Sequence, residues 1–160
     1  MAVSGSGTQN DPYAVHNYTE FRAICVGEGH YWQTAGQAVY IRLDDDVQSD
    51  TWENMMASNG DMCAARIDCN EHTITINVQP GTGVTRVLPT NSILQHGRII
   101  ANNYIRDASL IDMIIYGAAI TRSYVKDCEI KGDVVHNYDY WSISDSEIYT
   151  CRLTITQNNF

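Results

Sequence analysis

The chain is short of positive charge. Ten Lys and Arg stand against nineteen Asp and Glu, a formal net charge of −9 over 160 residues. Binding along a phosphate backbone needs clustered cations that displace counterions, so this balance argues against nucleic acid. It argues equally against an anionic membrane surface. No apolar run approaches the roughly 20 residues that a membrane-spanning helix requires. The opening residues Met1-Ala2-Val3-Ser4-Gly5-Ser6-Gly7 carry neither a basic stretch nor an apolar core, so no secretion signal is expected.

Other absences narrow the chemistry. The five cysteines (Cys25, Cys63, Cys69, Cys128, Cys151) are odd in number and hold no C-x-x-C pair, which argues against a disulfide framework and against zinc. Cys128 and Cys151 lie in strand-like apolar contexts, where a free Cys packs as a small hydrophobe. His16, His30, His72, His96 and His136 are scattered without an H-E-x-x-H frame, so no metal site and no cofactor are expected. Gly81-Thr82-Gly83 lacks the remainder of a phosphate-binding loop and reads as a turn. Ser142 and Ser144 have no nucleophile-elbow context. Asp44-Asp45-Asp46 with Asp50 offers oxygens to a hard cation, but calcium-loop spacing is missing and the run reads as a solvated turn.

What is present favours strands. Ten Tyr and three Trp accompany many Ile, Val and Thr, residues that suit a pleated, half-buried surface. The length predicts one domain, able to bury roughly 70% of its unfolded surface. One helix is expected: Asn17 is a good N-cap, Glu20 follows at the third position, and Gly27 closes the run. Tyr18, Phe21, Ile24 and Cys25 then share a face. Residues 28–36 form a Gly-rich loop carrying Tyr31 and Trp32, and Ala38–Leu43 alternates as a strand. The polar stretch at about 48–62 reads as a loop insertion. Residues 66–78 read as two short strands broken near Asn70.

From residue 92 the sequence repeats loosely. Segments closing at Ile99, Ile115, Ile130 and Ile148 each place apolar residues around a polar corner, at spacings of 16, 15 and 18. The last two share the pattern apolar-x-Asp-[Cys/Ser]-Glu-Ile. A short period of strand, corner and strand predicts a solenoid whose turns bury their apolar side by stacking. Asp127 and Asp145 suit left-handed corners. A β-sandwich is the rival, but the strands are only three or four residues long and no Asn-Gly or Asp-Gly hairpin signal occurs.

The segment Gly7-Thr8-Gln9-Asn10-Asp11-Pro12-Tyr13-Ala14-Val15, the Tyr18–Cys25 helix and the strand Tyr40-Ile41-Arg42-Leu43-Asp44-Asp45-Asp46 resemble the N-terminal cap of right-handed parallel β-helix proteins. Thr73-Ile74-Thr75-Ile76 is similar to the strand that follows in that pattern. Such modules occur in bacterial surface proteins and in virion proteins of tailed phages. The resemblance implies an all-β, single-domain right-handed parallel β-helix, with residues 1–36 as cap and capping helix and residues 37–160 as solenoid turns. With few turns and no added receptor or attachment domain, the chain reads as a small building block and not as an enzyme.

The resemblance implies a structural role in a phage virion assembled in the host cytoplasm: a capsid decoration or a head or tail appendage. Its partners would be other capsid or tail subunits and its own copies, with a trimer as the expected state. The alternative is a carbohydrate-binding or carbohydrate-cleaving module. In the 18-residue register Asp127 lies over Asp145 and Glu129 over Glu147, an acidic ladder whose like charges need a cation, water or a basic partner. Paired carboxylates also serve glycoside hydrolysis, although a solvated outer face is the plainer expectation. Tyr31 and Trp32, with Tyr138, Tyr140 and Trp141, are candidates for a partner or glycan contact.

Overall fold

A computed structural model describes residues 3–29, 31–32, 37–55, 64–79, 81–117, 119–133 and 143–156. Thr8 and Asp11 pair back on each other through two backbone hydrogen bonds of 3.2 Å, so the first residues turn tightly before β1 (Tyr13–Val15). The helix α1 (Tyr18–Cys25) follows, capped as its sequence requires: the Asn17 side chain accepts from the Glu20 N–H at 3.0 Å. The Glu20 carboxylate in turn accepts from the His16 N–H at 2.8 Å, one residue earlier than in a standard capping box. Gly27 takes φ 70°, and the Glu28 N–H reaches the Ala23 carbonyl at 2.8 Å, closing the helix in a Schellman turn. Phe21, Ile24 and Cys25 are fully buried on the face predicted for them. No helix among the described residues is long and apolar enough to cross a membrane.

Every other element among the described residues is a strand: β2 (Ala38–Leu43), β3 (Val47–Ser49), β4 (Ala64–Asp68), β5 (Thr73–Ile76), β6 (Ser92–Ala101), β7 (Tyr104–Arg106), β8 (Ala108–Tyr116), β9 (Ala119–Thr121), β10 (Tyr124–Lys126), β11 (Glu129–Asp133), β12 (Ile143–Ser144), β13 (Glu147–Tyr149) and β14 (Arg152–Thr156). The protein is therefore mostly β, with parallel sheets. The larger sheet runs β1-β2-β4-β6-β8-β10-β13, with β3, β5, β11 and β14 attached, and a smaller one runs β12-β9-β7. All pairs between these strands are parallel. A β-sandwich is built on antiparallel neighbours, so the rival architecture is removed.

The register stacks like upon like. Ile41, Ile67, Leu94, Leu110 and Val125 are consecutive partners across β2, β4, β6, β8 and β10. Val47, Ile74, Ile99, Ile115 and Ile130 form a second column, and Ile105, Ile120 and Ile143 a third. All but Ile143 are at most 2% exposed. Such in-register apolar columns are the core, because each strand buries its inward side chains against the strands above and below.

Two expectations change. The stretch expected as a loop insertion at 48–62 is built into the core over its described part. Its first residues complete β3, and Trp52 and Met55 are buried. Trp52 packs on Tyr18 and Phe21 of the helix at 4.7 and 6.0 Å, and its Nε1–H donates to the Val87 carbonyl at 2.9 Å. The polar residues around those two anchors hid this, and residues 56–63 lie outside the described residues. The spacings of 16 and 15 between Ile99, Ile115 and Ile130 hold, but the next partner of Ile130 is Leu153, 23 residues on, and Ile148 instead pairs with Val125.

Candidate functional site

The corners of the stack repeat one device. Arg122, Asp127, Asp145 and Thr150 all take left-handed backbone, with φ from 46° to 55°. Each is followed by a small residue whose O–H or S–H donates to the carbonyl two residues back. Ser123 reaches Thr121 and Ser146 reaches Ser144, both at 2.8 Å. Cys128 reaches Lys126 at 3.1 Å and Cys151 reaches Tyr149 at 3.2 Å. The left-handed residue turns the chain, and the hydroxyl or thiol adds a local hydrogen bond to the carbonyl just before the turn.

This device corrects the acidic ladder. Asp127 and Asp145 belong to two different corners. The Asp127 N–H donates to the Tyr149 carbonyl at 3.1 Å, and its carboxylate accepts from the Thr150 hydroxyl. Asp145 instead follows β12, where the Arg122 N–H donates to the Ser144 carbonyl at 3.2 Å. Glu129 lies beside Arg152 of β14 and Ile114 of β8, while Glu147 lies beside Tyr124. The Lys131 ammonium stands 3.4 Å from Glu129, and the Tyr149 hydroxyl donates to Glu147 at 3.3 Å. The four carboxylates are thus spread over separate strands and corners beside neutral or cationic neighbours. They do not form a like-charge column. The shared sequence pattern reported the corner chemistry, not the register.

The aromatic candidates divide. Tyr31 and Trp32 are half-buried against the core. The Tyr31 ring meets Tyr13 edge-on at 5.2 Å, and its carbonyl accepts from the Tyr13 hydroxyl at 3.1 Å. Trp32 lies over Gly27, where a Cβ would sit 2.0 Å from the indole ring. Both pack against the core and are only partly exposed. Tyr138, Tyr140 and Trp141 lie outside the described residues.

The acidic run at 44–46 is shared out among one arginine and two histidines. Arg42 grips Asp44 with two hydrogen bonds, 2.7 and 3.0 Å, and this guanidinium holds the Asp44 carboxyl below its usual range. His16 stands 3.0 Å from Asp45, and His72 stands 3.4 Å from Asp46, which also accepts from the Thr73 N–H at 2.8 Å. Asp107 is clasped by Arg122 at 2.6 Å, with Arg86 at 3.6 Å. No group of three or more His, Cys, Asp or Glu among the described residues is placed to hold a metal ion. A shallow groove of about 280 Å³ crosses the outer face of β2, β4 and β6, lined by Tyr40, Arg42, Arg66, Asp68 and Gln95, with Gln9 at its rim. Sequence reading missed it, since its side chains converge from four separate segments.

The two ends of the stack differ. At one end α1 and Trp52 cover the first strands. At the other, β13 pairs only with β10 and β14 only with β11 among the described strands. Ile148 and Leu153 continue the apolar columns of Val125 and Ile130, yet they are 39% and 52% exposed, because nothing described is stacked on them. In comparisons with known proteins, no family model, no curated protein and no solved structure matches this chain.

Proposed function

We propose that the chain is a right-handed parallel β-helix and serves as a non-enzymatic virion structural protein of a tailed phage, as a capsid decoration or a head or tail appendage subunit. The parallel pairing, the stacked apolar columns and the left-handed corners support the solenoid reading. The right hand follows from the strong preference of parallel strand–crossover–strand connections. The phage role rests on the likeness of the Gly7–Val15 turn, the capping helix and the Tyr40–Asp46 strand to the cap of such proteins.

One observation carries the assembly role: Ile148 and Leu153 occupy core columns but are exposed, on strands whose far edges no described strand pairs. An edge of this kind templates association unless covered, and a second chain supplies the cover, either a copy of this one, with a trimer as the favoured state, or another virion subunit. Light scattering after size-exclusion chromatography tests self-association. The expected result is a mass above the 17.9 kDa of one chain, reverting to one chain in the Ile148→Asp, Leu153→Asp double variant. A single-chain mass for the unaltered protein at every concentration overturns the homo-oligomer.

The groove beside Tyr40, Arg42, Arg66 and Gln95 favours a second reading, a carbohydrate-binding module that holds an extended glycan by hydrogen bonds. Loss of glycan binding in an Arg66→Ala, Gln95→Ala variant would separate this reading from the first.

A further inference from the structure

We propose that Cys128 and Cys151 form a redox-controlled disulfide that latches the outermost described layer of the stack to the layer beneath it. The proposal is independent of what covers the open end. β11 and β14 pair in parallel with Glu129 opposite Arg152, so the residues just before them, Cys128 and Cys151, occupy the same corner in consecutive layers. The Arg152 N–H donates to the Cys128 carbonyl at 2.9 Å, which pins the two backbones side by side. Neighbouring strands lie about 4.8 Å apart, inside the Cα separation of roughly 4.4–6.8 Å that a disulfide spans.

The two corners also match in conformation. Asp127 and Thr150 precede the cysteines with φ 55° and 51°. Both thiols aim back along the stack, Cys128 Sγ to the Leu110 carbonyl at 3.3 Å and Cys151 Sγ to the Val125 carbonyl at 3.6 Å. The side chains are close enough to interact, and Cys151 adds to the cost of ionising Cys128. Cys69 stands below the same corner, but there the next layer presents Gly97 and then Met113, so no second thiol is stacked on it.

Access sets the order of events. Cys151 is partly exposed at the open end, whereas Cys128 is 3% exposed and burial holds its thiol at about 11. The oxidant is a small disulfide such as oxidised glutathione. The Cys151 thiolate attacks it, the reagent's S–S bond breaks, and a mixed disulfide forms as one glutathione thiolate leaves. Cys128 then gives its proton to solvent and attacks the Cys151 sulfur, releasing the second glutathione thiolate. Two protein thiols thus lose two electrons and two protons, and the reagent becomes two thiols. The second step is slow, because the attacking thiol is buried and protonated. The bond closes the loop from 128 to 151 and ties β13 and β14 to the packed layers below.

The test incubates the full chain with oxidised glutathione at pH 8, alkylates remaining thiols, and digests with trypsin. Cleavage after Lys126, Lys131 and Arg152 leaves residues 127–131 and 132–152 joined through sulfur, a pair that a reductant separates. Cys128→Ser is expected to stop at glutathione on Cys151, which reads out the first step alone, and Cys151→Ser is expected to show neither product. The oxidised protein should melt several degrees above the reduced one, a difference lost in Cys151→Ser. Alkylation of both Cys128 and Cys151 after prolonged oxidation, or a Cys151 linked to Cys63 or to a second chain, overturns the proposal.

Discussion

Gly97 occupies a point in the stack where a methyl group has no room. A Cβ there would lie 2.3 Å from the Cys69 Cβ and 2.6 Å from the His72 carbonyl, backbone and near-backbone atoms that cannot swing aside. Gly97→Ala should therefore destabilise the fold by about 1–3 kcal/mol, the range of overpacked cores, read as a lowered urea midpoint at unchanged slope. Cysteines in the same corner shape the alkaline limb of stability. Burial pushes Cys69 up to about 12 and Cys128 to about 11, from an ordinary 9.0. The folded state then holds these protons more tightly than the unfolded one. The associated stability is complete below pH 9 and is lost as pH rises towards 11–12. Urea midpoints measured from pH 7 to 10.5 should fall above pH 9, and a Cys69→Ala, Cys128→Ala variant should fall less over the step from 9 to 10. Buried Tyr13 and half-buried Tyr18 are raised as well and add their share above pH 10.

The helix and its partners show what could be read from the sequence and what could not. Asn17, Glu20 and Gly27 mark both ends of α1 because capping is local chemistry, written within four residues of each end. Trp52 was not readable in the same way. It sits among Asp50, Thr51, Glu53 and Asn54, and only the fold brings it against Tyr18, Phe21 and the Val87 carbonyl. Trp52→Ala removes the largest buried side chain among the described residues and one buried hydrogen bond, so a loss of about 3–5 kcal/mol is expected from thermal or urea unfolding. Leu at the same position should recover part of the packing. The turn from Ile130 to Leu153 failed to show for a related reason. Its period stretches to 23 residues, and the Asp-Ser-Glu-Ile of one corner imitates the Asp-Cys-Glu-Ile of another. Corner chemistry depends on two or three residues, whereas register depends on the whole turn, so matching motifs were a poor guide to which carboxylates meet.

Among the described residues the stack has one end covered by α1 and Trp52 and one end on which nothing is stacked, and this asymmetry supports the assembly role. Apolar columns that run buried from Ile41 to Val125 and from Val47 to Ile130 continue outward to Ile148 and Leu153. Covering them would remove apolar surface from water at roughly 25 cal/mol per Å² and pair the edges of β13 and β14 that no described strand pairs. The most direct test is hydrogen exchange followed by mass spectrometry at a dilute and a concentrated protein sample. The account predicts that amides of 147–154 exchange more slowly as concentration rises, while those of α1 and β2 do not change. Equal exchange of 147–154 at both concentrations, or protection that grows only at the helix-capped end, would contradict it.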